Sequence, residues 1–184
     1  MNNKLTKFNI LIKKLKKEYA FTSKFNRPDK ITIGNKTTIS DYVYLNAGTG
    51  NITIGNKCYI DRNVLFSCNG GDINIGHHCS FNPNCVIYGH GGLTIGNDVR
   101  IATGTVIIPA NHGFQDREKK ICDQEITAKG ITISHNCWIG ANVTILDGVT
   151  VGEGCVIGAG SVVTKSIEDY SIAVGSPAKI IQKR

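Results

Sequence analysis

The sequence predicts an all-β fold, a left-handed parallel β-helix built from six-residue repeats. Two periodicities predict it. The dipeptide Ile-Gly recurs at spacings of 21, 21 and 20 residues, beginning at Ile33 and ending at Ile95. Apolar residues also step by six, without interruption, from Ile133 to Val163. A period of six fits neither the 3.6-residue turn of an α-helix nor the two-residue alternation of a strand. Three such hexapeptides make one coil of a triangular solenoid, with a short strand on each side.

The repeat is interrupted once, between Ile95 and Ile133. These residues are 38 positions apart, which is one 18-residue coil plus 20 residues. The extra residues have no place in the stacked coils, so we predict that they protrude as a loop at about 113–130. The solenoid itself is predicted over residues 31–166, followed by a C-terminal tail over 167–184.

Residues 1–30 are predicted to form a basic helix and an N-terminal cap. Five apolar residues recur at helical spacing, and they are Leu5, Phe8, Ile12, Leu15 and Tyr19. Six lysines lie within the first 17 residues. An amphipathic helix of this kind caps the open end of a solenoid or lies on a membrane surface. Capping is the preferred interpretation.

The charge distribution argues against a nucleic-acid-binding surface. The chain has a formal net charge of +7, and no acidic residue precedes Glu18. Because the first 17 residues contain six of these charges, the remaining body is nearly balanced, and the basic excess belongs to one terminal element. No apolar run has the length of a membrane span, and no secretory signal peptide is visible. We therefore predict a cytoplasmic chain with reduced thiols.

Five of the seven cysteines follow the register of the repeat. Each lies four residues after a step residue, at a position that faces inward and requires a small side chain; these are Cys58, Cys79, Cys85, Cys137 and Cys155. Cys68 and Cys122 fall outside the register, and the sequence assigns them no role. The run from His77 to Cys79 superficially resembles a metal site, but an inward thiol does not converge with two imidazoles. We predict no metal. His135 occupies a turn position commonly held by Asn or Asp.

Three segments resemble those of the hexapeptide-repeat acyltransferases. They are residues 109–114 (PANHGF), 137–142 (CWIGAN) and 175–181 (GSPAKII). The resemblance is to sugar O-acetyltransferases of surface-polysaccharide synthesis and to galactoside and maltose acetyltransferases. It implies acetyl-CoA as co-substrate, a sugar or glycan precursor as acceptor, and a homotrimer with its three sites between neighbouring chains.

His112 is the predicted catalytic residue. It follows the step residue Ile107 by five positions, at the corner where the predicted loop leaves the solenoid, so its side chain should lie outside the core. An imidazole titrates near neutrality and can take a proton from a hydroxyl that attacks a thioester. The alternative is a histidine that only supports the base of the loop.

The resemblance also implies a set of cofactor-binding residues. The backbone N–H near Ala141 would stabilise the oxyanion of the tetrahedral intermediate, and small residues at stacked corners would leave room for the pantetheine arm. Lysines are suited to the phosphate end. The implied set is Trp138, Gly140, Ala141, Ala159, Gly160, Thr164, Lys165 and Lys179. Some relatives carry an arginine near the end, where this chain has Gln182.

Asn82, His90 and Asn111 are the candidate substrate-binding residues. Alignment backwards from His112 places Asn82 and His90 where galactoside acetyltransferases have a sugar-binding Asn and Asp. His90 departs from the acidic residue, which indicates a different acceptor. The run from Tyr88 to Gly92 is equally compatible with a simple turn.

Three other functions are alternatives to O-acetyl transfer. An N-acetyltransferase acting on an amino sugar is the main alternative. The γ-class carbonic anhydrases share this solenoid and bind zinc with three histidines, but the required pair of histidines five residues apart is missing because residue 117 is Arg117. A non-catalytic scaffold is disfavoured by the intact segments around His112 and Trp138.

Overall fold

The chain forms a parallel β-solenoid in the computed structural model, which describes residues 22–184. The predicted all-β parallel solenoid is confirmed, whereas the hand of its winding stays a prediction. Residues 22–184 contain no α-helix and only two short 3₁₀ turns, Pro28–Lys30 and Ile121–Asp123. Residues 1–21, which carry the predicted N-terminal helix, lie outside the described residues. In the described part of the chain, no helix has the length and apolar character needed to cross a bilayer.

Each coil contributes one strand to each of three sheets. The first sheet contains β2 (Ile31–Ile33), β5 (Ile52–Ile54), β8 (Ile73–Ile75), β11 (Leu93–Ile95), β14 (Ile131–Ile133) and β17 (Thr150–Val151). The second contains β3 (Thr38–Ile39), β6 (Tyr59–Ile60), β9 (Ser80–Phe81), β12 (Arg100–Ile101), β15 (Trp138–Ile139), β18 (Val156–Ile157), β20 (Ser171–Val174) and β21 (Lys179–Lys183). The third contains β1 (Lys24–Asn26), β4 (Tyr44–Asn46), β7 (Leu65–Ser67), β10 (Val86–Tyr88), β13 (Val106–Ile108), β16 (Thr144–Leu146) and β19 (Val162–Val163).

The six-residue step sets the register between coils. In the third sheet, for example, the step residues pair directly from coil to coil, and they are Leu45, Phe66, Ile87, Ile107, Ile145 and Val163. All six are fully buried. Burial of each such side chain stabilises the fold by about 1.5–3 kcal/mol. The repeat thus encodes one continuous aliphatic core along the axis of the solenoid.

The five in-register cysteines are buried inside the solenoid as predicted, and none forms a disulfide. Their thiols donate to carbonyl oxygens of the next coil, as in Cys79 Sγ to Gly96 O at 3.1 Å and Cys137 Sγ to Gly152 O at 3.0 Å. Burial raises the pKa of the Cys137 thiol to about 11. These cysteines are small core residues with their one donor satisfied.

The structure separates the two remaining cysteines. Cys68 is buried, its Sγ lies 3.4 Å from Asn51 O, and burial together with the nearby Asp72 raises its pKa to about 11. Cys122 is exposed on the protruding loop. Cys68 is therefore a core residue. The six-residue step does not predict this, because Cys68 lies just beyond β7, where the coils carry two or three extra residues.

Three corners join the sheets, and each has its own side chains. The ladder corner joins the first sheet to the second (for example residues 34–37), the groove corner joins the second to the third (residues 140–143), and the loop corner joins the third to the first (residues 109–130). Successive coils stack at about 4.8 Å. Residues at the same corner of successive coils therefore lie side by side, whereas residues at different corners of one chain are separated by the width of the core.

The ladder corner is closed by a relay of side chains. Asn56 Oδ1 accepts from Asn35 N at 2.7 Å, and His77 Nδ1 accepts from Asn56 N at 2.9 Å. Asn97 Oδ1 then accepts from His77 N, and His135 Nδ1 from Asn97 N, both at 2.8 Å. His135 thus does what Asn does in neighbouring coils, as its turn position predicts. Each histidine needs a neutral Nδ1 for this contact.

The run from His77 to Cys79 forms no ligand set. His77 Nδ1 accepts from the backbone, His78 Nδ1 lies 3.4 Å from Asp98 Oδ1, and Cys79 is buried in the core. Over residues 22–184, no three His, Cys, Asp or Glu side chains converge as metal ligands.

Strands extend beyond the predicted boundaries of the solenoid on both sides. β1 begins at Lys24, within the predicted cap, and pairs with β4. β20 and β21 lie within the predicted tail, where β20 stacks on β18 and β21 pairs antiparallel with β20. This hairpin forms the C-terminal edge of the second sheet.

Candidate active site

His112 stands on the protruding loop, next to the wall of the solenoid. The chain leaves after β13 and rejoins the first sheet at β14. The two ends of the loop form a short antiparallel ladder, in which Asn111 and Thr127 exchange backbone hydrogen bonds of 2.8 and 2.9 Å. Gly113 N donates to Glu125 O at 3.0 Å. The backbone of His112 is therefore held on both sides, although the residue belongs to a loop.

The His112 side chain is exposed, as its position after Ile107 predicts. Its imidazole has no hydrogen-bond partner among residues 22–184. A neutral imidazole offers one acceptor nitrogen and one donor nitrogen. The arrangement can therefore take a proton from a bound hydroxyl without first breaking a contact in the chain.

An aspartate missed by the sequence analysis connects the two ends of the loop. Asp147 Oδ1 accepts from Lys129 N at 2.7 Å and from Gly130 N at 3.0 Å. Its Oδ2 lies 3.4 Å from Asn111 Nδ2. Asp147 follows β16 at the loop corner, one coil beyond the loop. The sequence could have pointed to Asp147, because it is a carboxylate at the corner where the 20-residue insertion leaves the preceding coil.

The outer part of the loop presents apolar side chains to solvent. Gln124 organises it, since Nε2 donates to Asp116 O at 2.9 Å and to Lys119 O at 3.1 Å. The exposed large apolar residues of the loop are Phe114, Ile121 and Ile126. A loop that is internally hydrogen-bonded and apolar outside is suited to contact with another surface.

His90 lies at the same corner as His112, one coil earlier. β10 pairs with β13 at Val86 and Ile87, so residue 90 is adjacent to residue 110 in the stack. The His90 Nδ1 atom is buried and has no hydrogen-bond partner within residues 22–184, and the ring makes an edge contact with Tyr88 at 5.6 Å between centroids. Burial lowers the pKa of His90, which favours a neutral side chain.

The groove corner is lined by small residues over two successive coils. A Cβ on Gly140 would lie 2.6 Å from Ala159 N, so only glycine allows the coils to approach here. Gly160 N donates to Ala141 O at 2.8 Å, which joins the coils. A Cβ on Gly160 would meet nothing within 4 Å, and Trp138 beside the corner is 57% exposed. The groove corner thus presents glycine and alanine over two successive coils, with an exposed indole at its side.

The C-terminal hairpin places Lys179 at the groove corner of the last coil. Lys179 pairs with Val174 in the hairpin, and Ala178 N donates to Val162 O at 2.8 Å. The hairpin is thus fixed across the second and third sheets, and its exposed lysine lies beyond Gly160.

The predicted site residues fall at two different corners of the chain. The loop corner carries His90, Asn111, His112, Thr164 and Lys165. The groove corner carries Asn82, Gly140, Ala141, Ala159, Gly160 and Lys179, with Trp138 at its edge. One chain does not bring His112 together with Ala141 or Asn82.

The three-sided stack of six-residue repeats makes this chain a parallel β-solenoid built from hexapeptides. A histidine-bearing loop interrupts the stack once. Residues 130–165 match the family model described as bacterial transferase hexapeptide, six repeats. Over these residues the chain is similar to the hexapeptide-repeat transferases.

Curated relatives include two sugar-modifying enzymes of Escherichia coli. The chain is 49% identical over 94 residues to a polysialic acid O-acetyltransferase, covering 50% of this chain and 29% of the relative. It is 37% identical over 91 residues to a galactoside O-acetyltransferase, covering 50% of this chain and 44% of the relative. The chain spans about a third to a half of the length of the curated relatives it matches first.

Among solved structures, the fold is similar to that of AntD, an N-acyltransferase from Bacillus cereus in complex with dTDP and 3-hydroxybutyryl-CoA. The TM-score is 0.61 at 23% identity, over 89% of this chain and 77% of the other. At this identity the likeness establishes the shared solenoid fold.

Proposed function

We propose that this protein is an acetyl-CoA-dependent O-acetyltransferase that transfers an acetyl group to a hydroxyl of a sugar or glycan precursor. The observation that carries the proposal is the free, exposed imidazole of His112 on a loop whose two ends are hydrogen-bonded to each other. Its relatives of known name, a galactoside and a polysialic acid O-acetyltransferase, support a sugar acceptor.

His112 acts as general base in the proposed reaction. Its imidazole takes the proton of the acceptor hydroxyl while the oxygen attacks the thioester carbonyl carbon. The backbone N–H near Ala141 stabilises the resulting oxyanion. When the intermediate collapses, the bond from carbon to sulfur breaks, and the departing thiolate takes the proton from the imidazolium. No covalent enzyme intermediate is needed, because the thioester is already activated.

The groove corner is the proposed binding site for the coenzyme arm. A thin chain would find room at the groove corner, because glycine and alanine carry no long side chains and the space next to Gly160 is open. Trp138 offers an apolar surface at its side. Lys179 of one chain, together with Lys165 and Thr164 of a neighbouring chain, is suited to the phosphate groups of the coenzyme.

The placement of these groups supports a homotrimer. His112 and Ala141 occupy different corners of one prism, so a site that uses both requires two chains. In a symmetric ring each contact repeats, and three chains create three equal sites. The exposed Phe114, Ile121 and Ile126 of the loop are suited to pack against the neighbouring chain.

Asn82 and His90 are the proposed acceptor contacts, with Asn111 beside the base. His90 replaces the acidic residue of galactoside acetyltransferases, and its lowered pKa makes it a neutral ligand for a hydroxyl.

We place the enzyme in the cytoplasm, where six buried free cysteines stay reduced.

The test is acetyl transfer by His112→Asn. Loss of general-base assistance lowers kcat by about 10² to 10⁴-fold, while coenzyme A still raises the thermal unfolding temperature. His135→Asn is the matched control, since asparagine fills the same position in neighbouring coils, and it retains activity. An active His112→Asn enzyme would contradict the assigned base.

An acceptor screen separates the alternatives. Galactosides, nucleotide sugars and amino sugars are each incubated with acetyl-CoA, and thiol release is followed. Transfer to a hydroxyl supports the proposal, whereas transfer restricted to an amino sugar would replace it by N-acetylation. A protein that binds no coenzyme A and releases no thiol would be a scaffold.

A further inference from the structure

Asp147 lies where one side chain can hold both ends of the protruding loop. The loop starts after Ile108 and returns at Ile131. β16, which pairs with β13 at residues 106–108, ends at Leu146, so Asp147 is stacked directly beyond the point where the loop leaves. It is the first residue of its coil that turns towards the returning segment.

The contacts of its carboxylate reach three residues of the loop. One oxygen accepts from the backbone N–H groups of Lys129 and Gly130, at 2.7 and 3.0 Å. The other oxygen lies 3.4 Å from Asn111 Nδ2. Hydrogen bonds to an ionised carboxylate are stronger than neutral ones. One carboxylate thus joins the returning end of the loop to the residue that precedes His112.

The same corner shows what this type of contact does where no loop is present. Asp72 Oδ1 accepts from Asn51 N at 2.8 Å and from Asn51 Nδ2 at 3.1 Å. An aspartate here satisfies a backbone N–H of the preceding coil and so closes the corner. Asp147 satisfies the equivalent N–H groups, but its preceding coil carries the loop, and its second oxygen reaches Asn111.

Asn111 passes this restraint on to His112. Its backbone exchanges two hydrogen bonds with Thr127, while its side chain faces Asp147. The carboxylate therefore holds both strands of the ladder at its base, through Asn111 on the outgoing strand and Lys129 just beyond the returning one. His112 follows Asn111 on the outgoing strand. We propose that Asp147 is a positioning residue that holds the loop ladder so that the His112 imidazole stands at a fixed place. The inference rests on the proposed function in which His112 is the base.

The experiment compares Asp147→Ala, Asp147→Asn and Asp72→Ala in the full-length protein. Misplacement of a reacting group by about 1 Å lowers the rate by about 10²-fold, so Asp147→Ala lowers kcat by tenfold to a hundredfold. The KM for acetyl-CoA changes less than kcat, because the contacts of Asp147 go to Lys129, Gly130 and Asn111 and to none of the proposed coenzyme contacts. Asp147→Asn restores most of kcat, since its oxygen still accepts from Lys129 N and Gly130 N and its amide N–H donates to Asn111 Oδ1 once the Asn111 amide turns over.

Asp72→Ala loses a contact of the same chemistry at the same corner and keeps its kcat. Wild-type kcat in Asp147→Ala, an equal loss in Asp72→Ala, or no recovery in Asp147→Asn would each overturn the inference. The double variant His112→Asn with Asp147→Ala is no slower than His112→Asn alone, because a positioning residue has nothing to position once the base is gone.

Amide hydrogen exchange separates the failure of this inference from the failure of the proposed function. The amides of Asn111, Gly113 and Thr127 exchange faster in Asp147→Ala than in Asp72→Ala. This measurement needs no substrate. If the wild-type protein transferred no acetyl group, the proposed function would fail, and the exchange rates would still decide whether Asp147 holds the ladder. Equal exchange in the two variants would overturn the inference.

Discussion

His90 combines three properties that rarely coincide in a half-exposed histidine. Its Nδ1 is buried without a partner in the described chain, its ring contacts Tyr88, and its pKa is lowered by burial. The alignment of the sequence proposed it for the acceptor site, yet its burial could not be predicted, because it lies in an irregular corner that the six-residue step does not describe.

The lowered pKa of His90 predicts a pH dependence of stability. The unfolded chain binds a proton at this residue below its ordinary pKa of 6.5, whereas the folded chain stays neutral until a lower pH. The unfolded state then binds more protons, so the free energy of unfolding falls as the pH falls through this window. His90→Asn removes this contribution. Denaturant unfolding at pH 7.5 and pH 5 should show a smaller loss in the variant, and equal losses would refute the argument.

Individual residues were predictable where the repeat dictates their direction. The four-residue offset placed five cysteines inside the solenoid, and all five are buried. His112 was placed outside by the same counting. Asp147 was not predicted, because its partners Lys129 and Gly130 come from the end of an irregular loop whose return path depends on no repeat.

At the scale of elements, the ladder corner shows how Asn and His substitute for each other. Oδ1 of asparagine and Nδ1 of histidine both lie two bonds from Cβ, so each can accept from the backbone N–H of the preceding coil. The ladder uses Asn56, His77, Asn97 and His135 in this way. A histidine in this position is a structural acceptor for the backbone of the preceding coil.

This equivalence predicts a difference between two substitutions at His77. His77→Ala leaves Asn56 N without its acceptor and lowers the free energy of unfolding by about 0.5–1.5 kcal/mol, the net contribution of one hydrogen bond. His77→Asn supplies a new acceptor and stays close to wild type. Urea unfolding of the two variants measures the difference. If both were equally destabilised, the ladder contact would not be the reason for the residue.

The elements themselves were largely predictable because the step residues recur at six. Each predicted step residue pairs with its counterpart one coil away, as Ile101 does with Phe81 and Ile139. The ends were less predictable. β1 and the hairpin of β20 and β21 lie outside the predicted solenoid, because one terminal strand carries too little repeat to reveal its register.

At the scale of the whole molecule, the separation of the two corners makes the assembly testable. A chain with His112→Asn lacks the base but keeps its groove, and a chain with Ala141→Trp has a blocked groove but keeps its base. If each site lies between two chains of a mixed trimer, it is active only when one chain supplies an intact base and its neighbour supplies an intact groove. With equal amounts of the two variants, this holds at about a quarter of the sites. Each variant alone is inactive, and co-expression restores about a quarter of wild-type activity.

Two differently tagged chains allow the mixed oligomers to be purified and assayed. Sedimentation of the wild-type protein should give the mass of three chains. Mixed oligomers without activity would contradict a site shared between chains, as would a stable active monomer.

The hairpin at the end of the second sheet covers an edge at which parallel strands of another copy could otherwise add. A stack of parallel strands offers its last edge to the first edge of another copy, and such addition repeats without limit into a fibre. β21 runs against the direction of every other strand in its sheet, and it carries Lys179 and Lys183 on an exposed edge, with Lys183 3.1 Å from Glu168. An incoming copy would meet a reversed, charged strand, which opposes edge-to-edge addition at this sheet.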